Sequence, residues 1–267
     1  MAENIQPDAP VKPSDGTVGK ALEVLEQVAA FDRPVRFKEL QDESNFPKAS
    51  LYRFLQTLTN QNMLSYDAEH QTYSLGFRLV RLAHSAWKQA SLAPIARPHI
   101  EKLSKTFNET VLLGQLDGGQ VLYIDRCNAN NFASQYSQTG KVGPAYCTGV
   151  GKAMLSVVPE PKLSYILSLQ SFYAFTPHTI GDEQTLRSEL VQIRRDGYAF
   201  DREEHEPGVI CIAAPIATEQ NTLFGALSVT KSSQHANIDE LARLAPELKK
   251  TARIIAQEAK HWYFPEH

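Results

Sequence analysis

Cysteine is scarce in this chain: Cys127, Cys147 and Cys211 are the only three in 267 residues, far apart and without a CxxC pair. An odd, scattered set argues against a disulfide framework and against a structural zinc knot, and it fits a reducing, cytoplasmic setting. Long apolar runs are also missing. No stretch can cross a bilayer, and the opening residues MAENIQPDAPVKPSDG hold no apolar segment of the kind that directs export, so a soluble protein with no membrane partner is expected. Nor is there an excess of positive charge. Lysine and arginine total 27 against 30 acidic residues, a net charge of -3. The molecule as a whole does not attract nucleic acid, and any such contact must be local. Residues 1–15 have three prolines and no periodicity, which predicts a disordered tail. No repeat, low-complexity block or cofactor motif is visible, and no cofactor is expected.

What is present is enough apolar content, 42%, for real cores, with helical patterning near the start. Val18, Leu22, Leu25, Val28 and Ala29 recur at helical spacing and predict a first helix. A short second helix fits 36–44, with Phe37 and Leu40 inward, followed by the turn Asn45-Phe46-Pro47. The third helix, 47–60, starts at a proline, whose missing N–H costs nothing in a first turn. Its Leu51, Phe54, Leu55 and Leu58 form one stripe. Ala49, Tyr52, Arg53 and Gln56 form the opposite face, flanked by Lys48 and Ser50. From 46 to 66 there is no aspartate or glutamate, as a helix lying against phosphates requires. Two strand-like pieces, 64–66 and 71–75, flank the polar turn 67–70. Three helices and a hairpin in this order predict a winged helix-turn-helix whose hairpin can touch a DNA backbone.

A helical stretch from Phe77 reads as a linker. Beyond Pro94 a helix to about Asn108 leads into strands near 110–116, 120–126 and 133–136. Helices follow near 151–157, 162–169 and 186–195, then strands near 211–217 and 223–230, and a last helix over 238–260. Strands and helices without strict alternation predict an α+β fold.

Several longer words in the sequence are specific: "FPKASLYRFLQTL", "YSLGFRL", "CTGVGKAMLS", "FTPHTIGD" and "GYAFDREEHEPGVICIAAPI". In their order and spacing the chain resembles the isocitrate-lyase-regulator (IclR) family of bacterial transcription factors over nearly its whole folded length. The resemblance implies a winged helix-turn-helix over 16–77, a linker helix over 78–93, a GAF-like antiparallel-sheet effector domain over 94–262 and a tail over 263–267. It also implies assembly into homodimers or tetramers. The function it implies is a ligand-responsive repressor of a catabolic operon that senses a small organic acid and binds a pseudo-palindromic double-stranded operator.

On the third helix this assigns Lys48, Ser50, Tyr52, Arg53 and Gln56 to DNA. Lys48 and Ser50 suit phosphates, and Arg53 and Gln56 suit guanine and adenine edges. By charge alone the same face fits a solvated helix surface. In the effector domain, Thr148 can cap a helix whose first N–H groups, at 149–151, would seat a carboxylate, though a well-capped structural helix fits equally. Ser228 and Thr230 are two apart on a strand and face one side. Motif alignment with the family places the pocket on Gly149, Val150, Asp201, Val209, Cys211, Ser228 and Thr230, and Asp201 is expected to accept a hydrogen bond from a ligand hydroxyl or a water. The acidic run "DREEHEPG" fits a ligand contact, a solvated loop or a metal cluster using Glu203 and His205; no second histidine at fixed spacing supports the metal, and none is expected.

Two departures from the family stand out: Ile210 where arginine is usual, and Tyr146 where histidine is common. Both suggest an effector different from that of typical members. Phe132, Gln135 and Tyr136 are candidates for a lid. The alternative reading is an enzyme or a stand-alone ligand-binding module acting on a small acid. Cys147 or Cys211 would be its nucleophile, but no pattern pairs His178 or His205 with either thiol, and no catalytic residue is assigned.

Overall fold

A computed structural model describes residues 16–128 and 138–260, apart from the side chains of residues 87–90. The expected terminal tails, the strand at 133–136 and the lid residues Phe132, Gln135 and Tyr136 fall outside the described residues. The chain divides into two compact units that meet in sequence between Gln89 and Ala90.

The N-terminal unit runs α1 (Gly16–Ala30), β1 (Val35–Arg36), α2 (Phe37–Glu43), α3 (Lys48–Asn60), β2 (Leu64–Asp67) and β3 (Thr72–Leu75), followed by α4 (Phe77–Ala90). Leu51, Phe54, Leu55 and Leu58 of α3 are all buried, as their spacing predicts, against Val24, Leu25 and Val28 of α1, Leu40 of α2 and Leu64 of β2. Pro47 stands one place before α3 rather than inside it, and its carbonyl accepts the N–H groups of Ser50 and Leu51.

The packed stripe of α1 differs from the expected one. Val18 is 72% and Leu22 47% exposed, while Val24 is fully buried. The inward face of a helix is chosen by its neighbours, here α3 and β3, and periodicity over one helix cannot see them. A further difference is β1, two residues that pair with β3 and make the wing a three-stranded sheet of order β1-β3-β2.

The C-terminal unit contains α5 (Ala93–Phe107), β4 (Thr110–Asp117), β5 (Gln120–Cys127), β6 (Val142–Gly143), α6 (Gly149–Leu155), α7 (Lys162–Ser168), α8 (Glu183–Asp196), β7 (Ala199–Arg202), β8 (Val209–Ala217), β9 (Leu223–Ser232), α9 (Ile238–Ala242) and α10 (Ala245–Ala259). Its strands form one antiparallel sheet of order β6-β5-β4-β9-β8-β7. Helices α5 and α10 pack on one face, and α6, backed by α8, packs on the other, giving the α+β layering expected. Strand β7 lies where the sequence reads only as an acidic run. The expected final helix is two, because a new helix starts at Ala245 with Pro246 in its first turn.

Register decides what α6 faces. Thr110, Thr230, Cys211 and Asp201 are successive Cα partners across β4, β9, β8 and β7, and Leu112, Ser228, Ala213 and Ala199 form the next row on the same face. Residues one step off, such as Val111, Val229 and Ile212, project to the opposite face and are fully buried there.

Truncating a core residue of α3 should cost far more than truncating the exposed α1 position. Leu55→Ala is expected to lower the unfolding free energy of the N-terminal unit by about 2–5 kcal/mol, against less than about 0.5 kcal/mol for Val18→Ala, measured by chemical denaturation.

Candidate functional site

Two surfaces carry the residues singled out in the sequence. On α3, Lys48, Tyr52, Arg53 and Gln56 are exposed and Ser50 is half-buried, so the five share the side turned away from the core. Arg53 lies over the ring of Phe54, with 5.7 Å from its guanidinium carbon to the centroid, and this cation–π contact orients it at little desolvation cost. The wing tip is different in character. Asp67 there accepts the N–H groups of Glu69 and His70 and meets His70 Nδ1 at 2.7 Å, so the tip closes on itself and carries acid.

The second surface is a cavity between the sheet and α6. Gly149, Val150, Asp201, Val209, Cys211, Ser228 and Thr230 all line it, together with Thr148, Leu112, Tyr123, His205 and Glu206. Its volume is about 20 Å³, room for roughly one water. The Thr148 hydroxyl caps α6 by accepting the Gly151 N–H at 3.2 Å, a contact worth about 1 kcal/mol. The N–H groups of Gly149 and Val150, in the first turn, have no intrahelical acceptor. A Cβ at Gly149 would collide with Cys211 Sγ, so close approach of α6 to β8 requires glycine there.

Ser228 Oγ and Thr230 Oγ1 are buried and have no hydrogen-bond partner among the described residues. Such groups cost about 1–3 kcal/mol each when left unmade, and two adjacent on one strand is unusual enough to call for a reason. Beside them Asp201 is 7% exposed and accepts the Glu204 N–H at 2.8 Å. Burial, with the charge of Glu204 adding to it, pushes the Asp201 carboxyl up to about 8. Around neutral pH this favours the protonated form, which offers an O–H beside the acceptor role expected from sequence. An anion beside it is not repelled.

Lys152 of α6 is fully buried and donates to Glu189 of α8 and to Glu204, both at 2.7 Å. The loop 203–208, which brings His205 and Glu206 to the cavity, is held by this ion pair and by two hydroxyls. Thr176 Oγ1 donates to the Glu203 carbonyl and Thr179 Oγ1 to that of Glu204. The motif "FTPHTIGD" thus supports the cavity from outside, with Phe175 packed edge-on against the His205 ring. Desolvation lowers His205 to about 4, which keeps it neutral.

Comparison with known proteins agrees with this architecture. The family model of the IclR helix-turn-helix domain matches residues 17–68, and that of the bacterial transcriptional regulator IclR C-terminal domain matches residues 84–257. The chain belongs to the IclR family. The acetate operon repressor of Salmonella typhimurium is 28% identical, over 92% of this chain and 91% of its own length. The crystal structure of Thermotoga maritima IclR superposes with a TM-score of 0.72 at 26% identity, covering 91% of this chain and 98% of that one. An IclR homologue of Microbacterium hydrocarbonoxydans, solved with 4-hydroxybenzoate, has the same fold, with a TM-score of 0.76 at 20% identity over 91% and 100% of the two chains.

IclR proteins are transcriptional regulators rather than enzymes, and the thiols here suit that. Burial drives both Cys147 and Cys211 upward, away from the thiolate a nucleophile needs. Among the described residues no three histidine, cysteine or acidic side chains are grouped to hold a metal, and Glu203, weighed for one as the lesser alternative, accepts the Gly208 N–H at 2.7 Å.

The two departures from the IclR pattern do not reach the cavity lining. Ile210 projects to the other face of β8, and Tyr146 is buried in the core with its hydroxyl donating to the Tyr173 carbonyl. The effector change inferred from them has no support in the lining. Leu112, Tyr123 and Glu206 were not singled out from the sequence, and His205 was weighed there only as a metal ligand or a base for a thiol. The first two are placed by strand pairing that no local signal reveals, whereas the latter two stood in the acidic run and could have been chosen.

These shifts predict a pH dependence of stability. Between pH 4 and 6.5 the folded chain holds a proton on Asp201 that the unfolded chain has lost, and lacks one on His205 that the unfolded chain holds, so the two effects oppose. From 6.5 to 8 His205 no longer contributes. Asp201 alone makes stability fall as pH rises, by on the order of 2 kcal/mol at most. Denaturation midpoints across this window should decline in the wild type and flatten in Asp201→Asn.

Proposed function

We propose that the chain is a ligand-responsive repressor of a catabolic operon. Lys48, Ser50, Tyr52, Arg53 and Gln56 contact its operator, and a small organic acid binds at Gly149, Val150, Asp201, Val209, Cys211, Ser228 and Thr230. The observation that carries the sensing half is the pair of buried hydroxyls of Ser228 and Thr230, which have no partner among the described residues, opposite the first-turn N–H groups of α6 and beside Asp201, whose carboxyl burial pushes up. The groups on these three sides can all donate, which suits a carboxylate; Glu206, also in the lining, suits a ligand hydroxyl. The Microbacterium protein of the same fold holds such an acid, and a relative is named as an operon repressor.

The working units on this reading are 16–77 for DNA, 78–93 for the linker and 94–262 for the effector. One α3 offers a small footprint, so a homodimer or tetramer reading a pseudo-palindrome supplies the affinity. The setting is the cytoplasm, where both DNA and metabolic acids are met.

Binding of the full-length protein to a labelled duplex from upstream of its own gene, titrated with glycolate, gluconate and 4-hydroxybenzoate, tests both halves. One acid class is expected to shift the DNA midpoint, with Ser228→Ala and Asp201→Ala each weakening the response by about tenfold, the loss of one buried hydrogen bond. Variants that respond as the wild type does would remove the site, and no retarded duplex would remove the regulator.

A further inference from the structure

Between the start of α2, the start of α3 and the wing lies an open groove of about 750 Å³, lined by Arg36, Phe37, Lys38, Lys48, Ala49, Tyr52, Tyr66, Gln71 and Tyr73. Lysine and arginine supply three of these residues, and no acid lines the groove. Its floor is aromatic: Phe37 meets Tyr52 edge-on at 6.1 Å, and Tyr66 meets Tyr73 at 4.8 Å between ring centroids. Tyr52 and Tyr66 remain 52% and 44% exposed.

Topology puts the cations there. Strand β1 pairs with β3, with Arg36 opposite Thr72 and Val35 opposite Tyr73, so Arg36 and Lys38 stand beside the wing rather than behind α3. The neighbouring acid is already used. Glu39 takes the Arg33 guanidinium at 2.6 Å and the Arg36 backbone N–H at 2.9 Å. Arg36, Lys38 and Lys48 form no ion pair with a described carboxylate. Three exposed cations around one groove without a lining acid give it a local positive potential that favours an anion.

We infer that this groove seats the sugar-phosphate backbone that borders the base pairs read by α3, with Arg36 and Lys38 as phosphate contacts outside the recognition helix. The inference rests on the DNA-binding reading above. Lys48 and Tyr52 belong both to the groove and to the reading face of α3, so a duplex presenting base edges to Arg53 and Gln56 lays its flanking strand along the groove. Phosphates then reach the cationic rim while the apolar faces of the deoxyriboses meet Tyr52 and Tyr66. The acidic tip of the wing, Asp67 and Glu69, lies beyond the groove lining, and the wing holds the backbone by its strands rather than by its turn.

Contacts of this kind fix position without reading sequence, and they carry the salt dependence of binding. The test uses the full-length protein with two labelled duplexes of equal length, one enriched by the protein from a random pool and one scrambled. Affinity is measured over a range of potassium chloride. Arg36→Ala and Lys38→Ala should weaken binding to both duplexes by the same factor, and each should flatten the slope of log affinity against log salt by about one unit per bound protomer. Arg53→Ala should instead narrow the gap between the duplexes. Arg36→Lys and Lys38→Arg should restore the slope.

Both positions are exposed, and the bond from Arg36 to Glu39 uses the backbone N–H, so unchanged denaturation midpoints will show that the variants fold. A double alanine variant with the wild-type salt slope overturns the inference while leaving DNA binding intact. A double variant that loses the enriched duplex but keeps the scrambled one also overturns it, since it would make these residues sequence readers. A wild type that binds neither duplex would remove the DNA-binding reading itself.

Discussion

A fully buried ammonium organises the effector unit. Lys152 cannot be hydrated where it sits, and its charge is tolerable only because Glu204 and Glu189 meet it there. Removing one partner of such a set costs about 3–5 kcal/mol, whereas replacing the whole set by apolar groups often costs nothing. What the set contributes is therefore position rather than stability. Lysine belongs to α6, Glu189 to α8, and Glu204 to the loop that carries His205 and Glu206 to the cavity. The width of the space between α6 and the sheet is fixed by this triad at one end and, at the other, by the contact of Gly149 with Cys211.

The same triad explains the state of Asp201. Around one buried cation stand three carboxyls, those of Asp201, Glu189 and Glu204, with Arg202 reaching Glu189 at 3.5 Å from the surface. Glu204 and Glu189 take the cation, and Asp201 is left with a single N–H donor and the repulsion of Glu204. Holding its proton is the cheaper state. A site that had to attract an acid would be poorly served by an ionised aspartate, and the surplus of carboxyls removes that difficulty by keeping this one neutral.

How much of this was legible in the sequence follows from which signals are local. The stripe of α3 was readable because four residues in two turns report one face, and the pair Ser228 and Thr230 because a strand alternates strictly. Thr148 announced its cap. The five family words carried the rest of the site, Gly149, Asp201 and Cys211 included, and all seven positions lie on one cavity. What failed to appear were relations between distant segments. The pairing of β1 with β3 brings Arg36 to the wing, the pairing of β4 with β9 brings Leu112 to Ser228, and the ion pair joins residues 152 and 204. The face of α1 failed for the same reason, since Val24 rather than Val18 turns inward toward partners that periodicity does not name.

The size of the cavity constrains any account of sensing. A carboxylic acid of even a few heavy atoms does not fit in about 20 Å³, so on the proposed reading binding and widening are one event. Among the described elements, α6 and the 203–208 loop face the sheet across the cavity, and both are tied to Lys152. The buried hydroxyls of Ser228 and Thr230 bear on that equilibrium: each has no partner among the described residues and gains one from a seated acid. Differential contact of this kind is what allows a ligand to shift a population.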